Sequence, residues 1–271
     1  MTREQLTEQI KTKQTYLCVG LDSDIDKIPA HLLSGEDPQF AFNKLIIDAT
    51  LEHCVAYKIN TAFYESLGVK GWQSLEKTIS YIPKTHFTIA DAKRGDIGNT
   101  SAQYAKAFFD TLHFDAVTVA PYMGADSVKP FLQYKNKWTI LLGLTSNEGA
   151  EDFEMLRTGD SYLFEEVLKK SSQWGDPGNM MYVIGATKQE MVKAIRNQYP
   201  DHFFLVPGVG AQGGSLEEIS KSGLNKDGGL LVNASRAIIF AGAHKNFFEA
   251  AAFASKQYHD EMRRYLIEAA F

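Results

Sequence analysis

The sequence predicts an α/β protein built as a (β/α)8 TIM barrel, and three observations predict it. Short apolar runs rich in β-branched and aromatic residues alternate with segments whose apolar residues fall at helical spacing, the pattern of repeated βα units on a parallel sheet. Eight such runs are present, starting near Tyr16, Val55, His86, Ala116, Thr139, Met181, Phe203 and Gly229. Their starts recur about every 30 residues, the size of one βα repeat, and the 271-residue chain has the length such a barrel requires.

Taken in order, a polar amphipathic helix over residues 1–10 precedes the first run, YLCVGLD. Helical spacing over 39–53 leads to VAYKIN, and over 71–82 to HFTIAD. Segments 100–112 and 124–134 flank AVTVAP, after which comes TILLGL. A long excursion, 145–177, follows this fifth run; it is rich in Gly, Ser, Asp and Glu, with one helical stretch around 162–170. It reads either as a lid or as a tolerated surface insertion. MYVIGA, FFLVPG and GLLVNA complete the set, separated by helical segments 191–199 and 215–222, and 245–270 supplies a last helix or pair. No linker or low-complexity tract divides the chain, so a single domain over 1–271 is expected.

Composition removes other classes. The hydrophobic share of 44% and charged share of 23% are those of a soluble globular protein, not of a disordered or fibrous one. Net charge is −5 and no Lys or Arg run exceeds two, so sequence-independent nucleic-acid binding has no electrostatic footprint. Cys18 and Cys54 are the whole cysteine complement and read as small buried hydrophobes. The first ten residues lack the apolar stretch of a secretion signal, and no segment approaches a membrane span, so a cytoplasmic protein without membrane partners is expected.

In such a barrel chemistry sits at the carboxyl ends of the strands. There the first run ends in Asp22, the second in Lys58-Ile59-Asn60, the third in Asp91-Ala92-Lys93-Arg94-Gly95-Asp96, and the eighth in Asn233-Ala234-Ser235-Arg236. Asp91 and Lys93, two apart in a strand, project the same way and can pair, with Lys58 on the neighbouring strand. Taken alone, such charges also fit a structural ion-pair network. The turn Pro207-Gly208-Val209-Gly210-Ala211-Gln212-Gly213-Gly214 after the seventh run points to a phosphate: glycines admit oxygens close to the backbone, the following helix offers N–H groups, and Arg236 offers a planar fork. Its match to G-x-G-x-x-G is not a dinucleotide fingerprint, which belongs in the first βα unit of its fold. Asp22-Ser23-Asp24-Ile25-Asp26 is not a calcium loop, having Lys27 and Leu33 where Gly and Glu are required. The seven His residues show no zinc spacing.

The string IADAKRGDIGNT over 89–100 resembles the signature of orotidine 5′-phosphate decarboxylases in their longer bacterial form. The resemblance extends along the barrel through Leu21-Asp22, Tyr57-Lys58, Ala120-Pro121-Tyr122, Thr145-Ser146-Asn147, PGVGAQGG from Pro207 and Asn233-Ala234-Ser235-Arg236, in order. It departs from some relatives at Asn60, where they carry a His.

The resemblance implies conversion of orotidine 5′-monophosphate to UMP and carbon dioxide in pyrimidine synthesis, with no metal and no organic cofactor. Carried over, Lys93 is the acid that protonates the ring carbon, Asp91 lies against the departing carboxylate, and Lys58 and Asp96 complete the charged array. Asp96 and Thr100 would act in the site of a partner subunit, implying a homodimer. Asp22 and Lys58 would hold the ribose, Thr145 or Ser146 the pyrimidine edge, and Arg236 with Pro207, Gly208, Gly210, Gln212 and Gly213 the phosphate. A preorganised cation beside a developing carbanion is what such a reaction needs. One ion pair at 4 Å is worth roughly 4 kcal/mol at an effective dielectric near 20. Barrier reductions run to about 8–23 kcal/mol, so loop closure over the ribose and phosphate is the natural supplement. Two rivals stand beside this reading. A metal-dependent sugar-phosphate relative shares D-x-K-x-x-D but carries a Glu at the end of strand two, where Lys58 would repel a divalent cation. The other is a non-catalytic nucleotide-binding barrel.

Overall fold

All eight apolar runs form parallel strands: β1 (Leu17–Gly20), β2 (Ala56–Asn60), β3 (Phe87–Arg94), β4 (Ala116–Val119), β5 (Trp138–Leu144), β6 (Met180–Ile184), β7 (Phe203–Val206) and β8 (Leu230–Ala234). The computed structural model describes residues 1–186, 189–209 and 214–271. The strands close into a barrel in the order β1-β8-β7-β6-β5-β4-β3-β2. Closure pairs Val19 with Ala234, while Gly20 faces Lys58 and Asn60 faces Asp91 across the next two seams. Most strand residues are buried, β1 and β4 throughout, which is why the runs read as continuously apolar rather than alternating. Phe87, Trp138 and Phe203 open β3, β5 and β7 and meet edge to face at 6.1 Å, a layer drawn from alternate strands that fills the amino end of the barrel.

The helices follow the expected segments with small shifts. The first spans Arg3–Lys13, capped by Thr2 and Gln5 in a reciprocal box, and buries Leu6 and Ile10 one turn apart. Its Arg3 bonds the carbonyls of Pro177 and Asp201 and the Asp227 carboxylate, laying the helix across the amino end of the barrel. Pro38–Thr50, Gly68–Tyr81, Ala125–Leu132, Gln189–Gln198 and Leu216–Gly223 are five of the crossover helices. The 100–112 segment begins earlier, as an α-helix over Gly98–Lys106, and widens into a π-turn over Ala107–Thr111. The carboxy-terminal pair is a short turn, Arg236–Ile239, and a long helix, Phe247–Glu268.

The excursion after β5 has more structure than its composition suggests. A 3-10 turn over Glu148–Glu151 leads to a two-stranded hairpin, Arg157–Thr158 against Ser161–Tyr162, turned at Gly159 with φ 70°. Two-residue strands carry too little periodicity to be read from sequence. The helix expected over 162–170 spans Leu163–Ser171.

Where β3 meets β4 the ladder is irregular: Ala90 faces Val117, yet Arg94 faces Val119, so four steps along β3 match two along β4. Lys93 lies in this bulge with φ 46°, a left-handed conformation unusual for a residue bearing a Cβ.

Candidate active site

The carboxyl end of the barrel opens into a cleft of about 310 Å³. Asp22, Lys58, Asp91, Lys93, Thr145, Ser146, Pro207, Gly208 and Arg236, all singled out in the sequence, line it. Six strand ends, those of β1, β2, β3, β5, β7 and β8, therefore converge as the barrel rule requires.

At its base lies an alternating chain of charges. Lys58 Nζ, on β2, donates to Asp22 Oδ1 at 3.3 Å and to Asp91 Oδ2 at 2.8 Å. Lys93 Nζ donates to the other oxygen, Asp91 Oδ1, at 2.6 Å. The pairing of Asp91 with Lys93 arises from the bulge and not from regular strand alternation. There the Lys93 N–H leaves the ladder and donates to the Thr118 hydroxyl at 2.9 Å, which donates onward to Asp91 Oδ1 at 3.1 Å. Thr118 is fully buried on β4, and sequence reasoning passed over it because AVTVAP reads as an apolar strand.

Burial works against the ionised carboxyl of Asp91, but the ammonium groups of Lys58 and Lys93 outweigh it and hold the group well below the usual carboxylate range. Burial likewise disfavours the charged Lys58, and here Asp22 and Asp91 outweigh it and raise the ammonium above its ordinary value. Lys58 is buried, whereas half of the Lys93 side chain is exposed, so the outer ammonium combines an anchored position with an open face. Such an arrangement can present a fixed cation and a proton to a group bound above it.

Around this base, Asn60, Asn147, Asn233 and Ser235 also line the cleft. Asn60, Asn233 and Ser235 sit at strand ends beside residues that were singled out, so inspection of whole strand ends finds them. On the opposite side Gly208 adopts φ 92°, a conformation that favours glycine, and Gly214 donates to its carbonyl at 3.3 Å. Of the expected phosphate turn, Gly210, Gln212 and Gly213 lie outside the described residues. The start of helix Leu216–Gly223 is not among the lining residues, and Ser215 already accepts the Glu218 N–H at 3.3 Å. Arg236 reaches the cleft with its guanidinium exposed and without an ion pair among the described residues.

Asp96 and Thr100 do not line this cleft. Asp96 accepts the Ile97 N–H at 2.8 Å, and Thr100 is exposed on the first turn of Gly98–Lys106. Ile97, Tyr122 and Met123 are exposed beside them at 59%, 87% and 46%, leaving an apolar margin next to the mouth. Among the described residues no group of three or more His, Cys, Asp or Glu is placed to hold a metal ion, and no helix is long and apolar enough to cross a membrane.

Comparison with known proteins agrees over the whole chain. The family model described as orotidine 5′-phosphate decarboxylase / HUMPS family matches residues 15–251. A protein of Christiangramia forsetii named orotidine 5′-phosphate decarboxylase is 59% identical over 265 residues, covering 97% of both chains. One of the same name from Parabacteroides distasonis is 59% identical over 270 residues, 98% of this chain and 96% of its own. Among solved structures, the OMP decarboxylase of Leishmania donovani superposes with a TM-score of 0.85 at 35% identity, covering 98% of this chain and all of that one.

Proposed function

The chain belongs to the orotidine 5′-phosphate decarboxylase / HUMPS family, and on that footing we propose that it converts orotidine 5′-monophosphate to UMP and carbon dioxide in the cytoplasm, without a cofactor. The observation that carries this reading is the chain Asp22, Lys58, Asp91, Lys93 at the base of the cleft. With substrate bound, its carboxylate lies toward Asp91 and C6 toward Lys93. The C6–carboxylate bond breaks and carbon dioxide leaves, while the electron pair stays on C6. Lys93 Nζ then delivers a proton to that carbon and recovers one from solvent. A fixed ammonium stabilises the developing carbanion more than the neutral ring before it, which is the differential binding that lowers a barrier. The bidentate hold of Asp91 on two lysines removes the reorganisation a solvated cation would need.

Asp22 and Lys58 hold the ribose hydroxyls, Thr145-Ser146 meets the pyrimidine edge, and Arg236 with the Pro207-Gly208 backbone takes the phosphate. The guanidinium, which has no ion pair among the described residues, supports this last role, since its planar fork suits an anion. Asp96 and Thr100 serve the cleft of a second copy in a homodimer; their place outside the cleft of their own chain, beside the apolar margin of Ile97, Tyr122 and Met123, supports that assignment. The metal-dependent branch of the family fits less well. Both Asp91 oxygens are engaged by ammonium groups, and Lys58, at the end of β2, would repel a divalent cation placed beside Asp91.

The test is a spectrophotometric assay of orotidine 5′-monophosphate consumption in the presence of a chelator. Turnover is expected under those conditions. Absence of turnover both with the chelator and after added magnesium overturns the proposed reaction, and activity that returns only with magnesium overturns the cofactor-free mechanism.

A further inference from the structure

The excursion after β5 sends one carboxylate back to the end of that strand. Glu154 lies between the 148–151 turn and the hairpin and does not line the cleft. Its Oε2 accepts the Thr145 amide N–H at 2.7 Å and its Oε1 accepts the Thr145 hydroxyl at 2.8 Å. The Glu154 carbonyl accepts the N–H of Phe164 at 2.9 Å, in the first turn of Leu163–Ser171, so the residue is itself tied down. One side chain thus occupies both hydrogen-bond donors of Thr145. The hydroxyl also lies 2.6 Å from the Asn147 carboxamide oxygen. A single proton cannot serve both acceptors, and the charged one is the stronger. With the carboxamide turned, its NH2 donates to the Thr145 oxygen instead.

Ser146 is confined from the other side. A Cβ at Gly185, just beyond β6, would lie 2.9 Å from both the Ser146 amide nitrogen and its Cα, so only the bare glycine admits this approach. The dipeptide at the mouth is therefore fixed by Glu154 through Thr145 and by the Gly185 backbone against Ser146.

We propose that Glu154 is a positioning residue for pyrimidine recognition: by occupying both donors of Thr145 it makes that residue a strut and sets the backbone that presents Ser146 to the base. This rests on the reading of the cleft as a site for orotidine 5′-monophosphate. A uracil-type ring shows an acceptor at O4 beside a donor at N3, and a cytosine ring shows the reverse. A rigid reader distinguishes the two and a loosened one does not. Thr145, its donors engaged, has none to offer O4 and acts on the ring only through the backbone it fixes.

The experiment compares the wild type with Glu154→Ala, Glu154→Gln and Thr145→Val. It measures binding of UMP, CMP and ribose 5-phosphate by calorimetry, alongside kcat, KM and melting temperature. Both Glu154 variants are expected to weaken UMP binding and raise KM about tenfold, the worth of a hydrogen bond to a charged group. CMP and ribose 5-phosphate affinity should stay unchanged. Thr145→Val, which keeps the amide bond to Glu154, should narrow the UMP preference less. A wild-type UMP to CMP ratio in folded Glu154→Gln overturns the proposal. So does loss of ribose 5-phosphate affinity in step with UMP, and so does failure of both Glu154 variants to fold, since each marks a purely structural role. A wild-type protein that neither binds UMP nor consumes the substrate overturns the reading of the cleft instead.

Discussion

The barrel buries a cation near each of its ends and answers the two differently. Lys58, at the carboxyl end, is held by the carboxylates of Asp22 and Asp91. Arg196, beneath the amino ends of β7 and β8, donates to the carbonyls of Gly223, Tyr199, Pro200, His202 and Gly229, lies over the Phe204 ring at 3.7 Å, and forms no ion pair among the described residues. Desolvation disfavours the charge at both places, yet the outcomes have opposite sign. Burial pushes Arg196 down to about 9, whereas carboxylates beside Lys58 overcome burial and raise it. Carbonyl dipoles suffice to staple chain segments together. Formal negative charges hold the lysine that lines the cleft.

The largest expected effect tests the carboxyl end. Lys93→Ala should lower kcat by at least about 10⁴-fold, the combined scale of lost proton transfer and lost charge stabilisation, while UMP binding survives. Rate and calorimetric measurements on one preparation check this, and near-normal turnover removes Lys93 as the proton donor. At the amino end, Arg196→Met strips several buried carbonyls of their donor and should lower the unfolding free energy by about 3 kcal/mol or more, with KM unchanged in the folded enzyme. Urea titration reads the first and steady-state kinetics the second. A change in KM would erase the division between the two ends.

A smaller effect comes from His202, whose carbonyl accepts from Arg196 at 2.6 Å. Burial, then the charges of Arg196 and Arg3, hold its imidazole down to about 4 from an ordinary 6.5. Because the unfolded chain takes up this proton first, the stabilisation is complete above the unfolded value and is lost as pH falls from 6.5 toward 4. The loss amounts to at most about 3 kcal/mol. Urea midpoints at neutral and mildly acidic pH should show this slope, and His202→Gln should flatten it. An unaltered slope assigns the acid sensitivity to other groups.

The strands, their order in the chain and the charged residues at their ends were legible because buried parallel strands write themselves as apolar runs, and because the chemistry stands where each run stops. The way Asp91 and Lys93 meet was not. Period-two alternation puts them on one face, but the β3 bulge and the left-handed Lys93 bring them together, and ladder irregularities leave no trace in a run such as HFTIAD. Glu154 was equally hidden. It sits nine residues beyond Thr145 in a segment full of acidic residues, and only the folded path of the excursion brings it back. Arg196, on an amphipathic helix, looks like any surface cation until the carbonyls around it are known.

Because the Lys93 amide is held by a hydroxyl on β4 instead of by its own ladder, the location of the Lys93 ammonium is set partly by a residue that does not line the cleft. Position 118 is thus a tuning screw on a neighbouring stave. Changes there move the Lys93 ammonium while leaving the signature string intact.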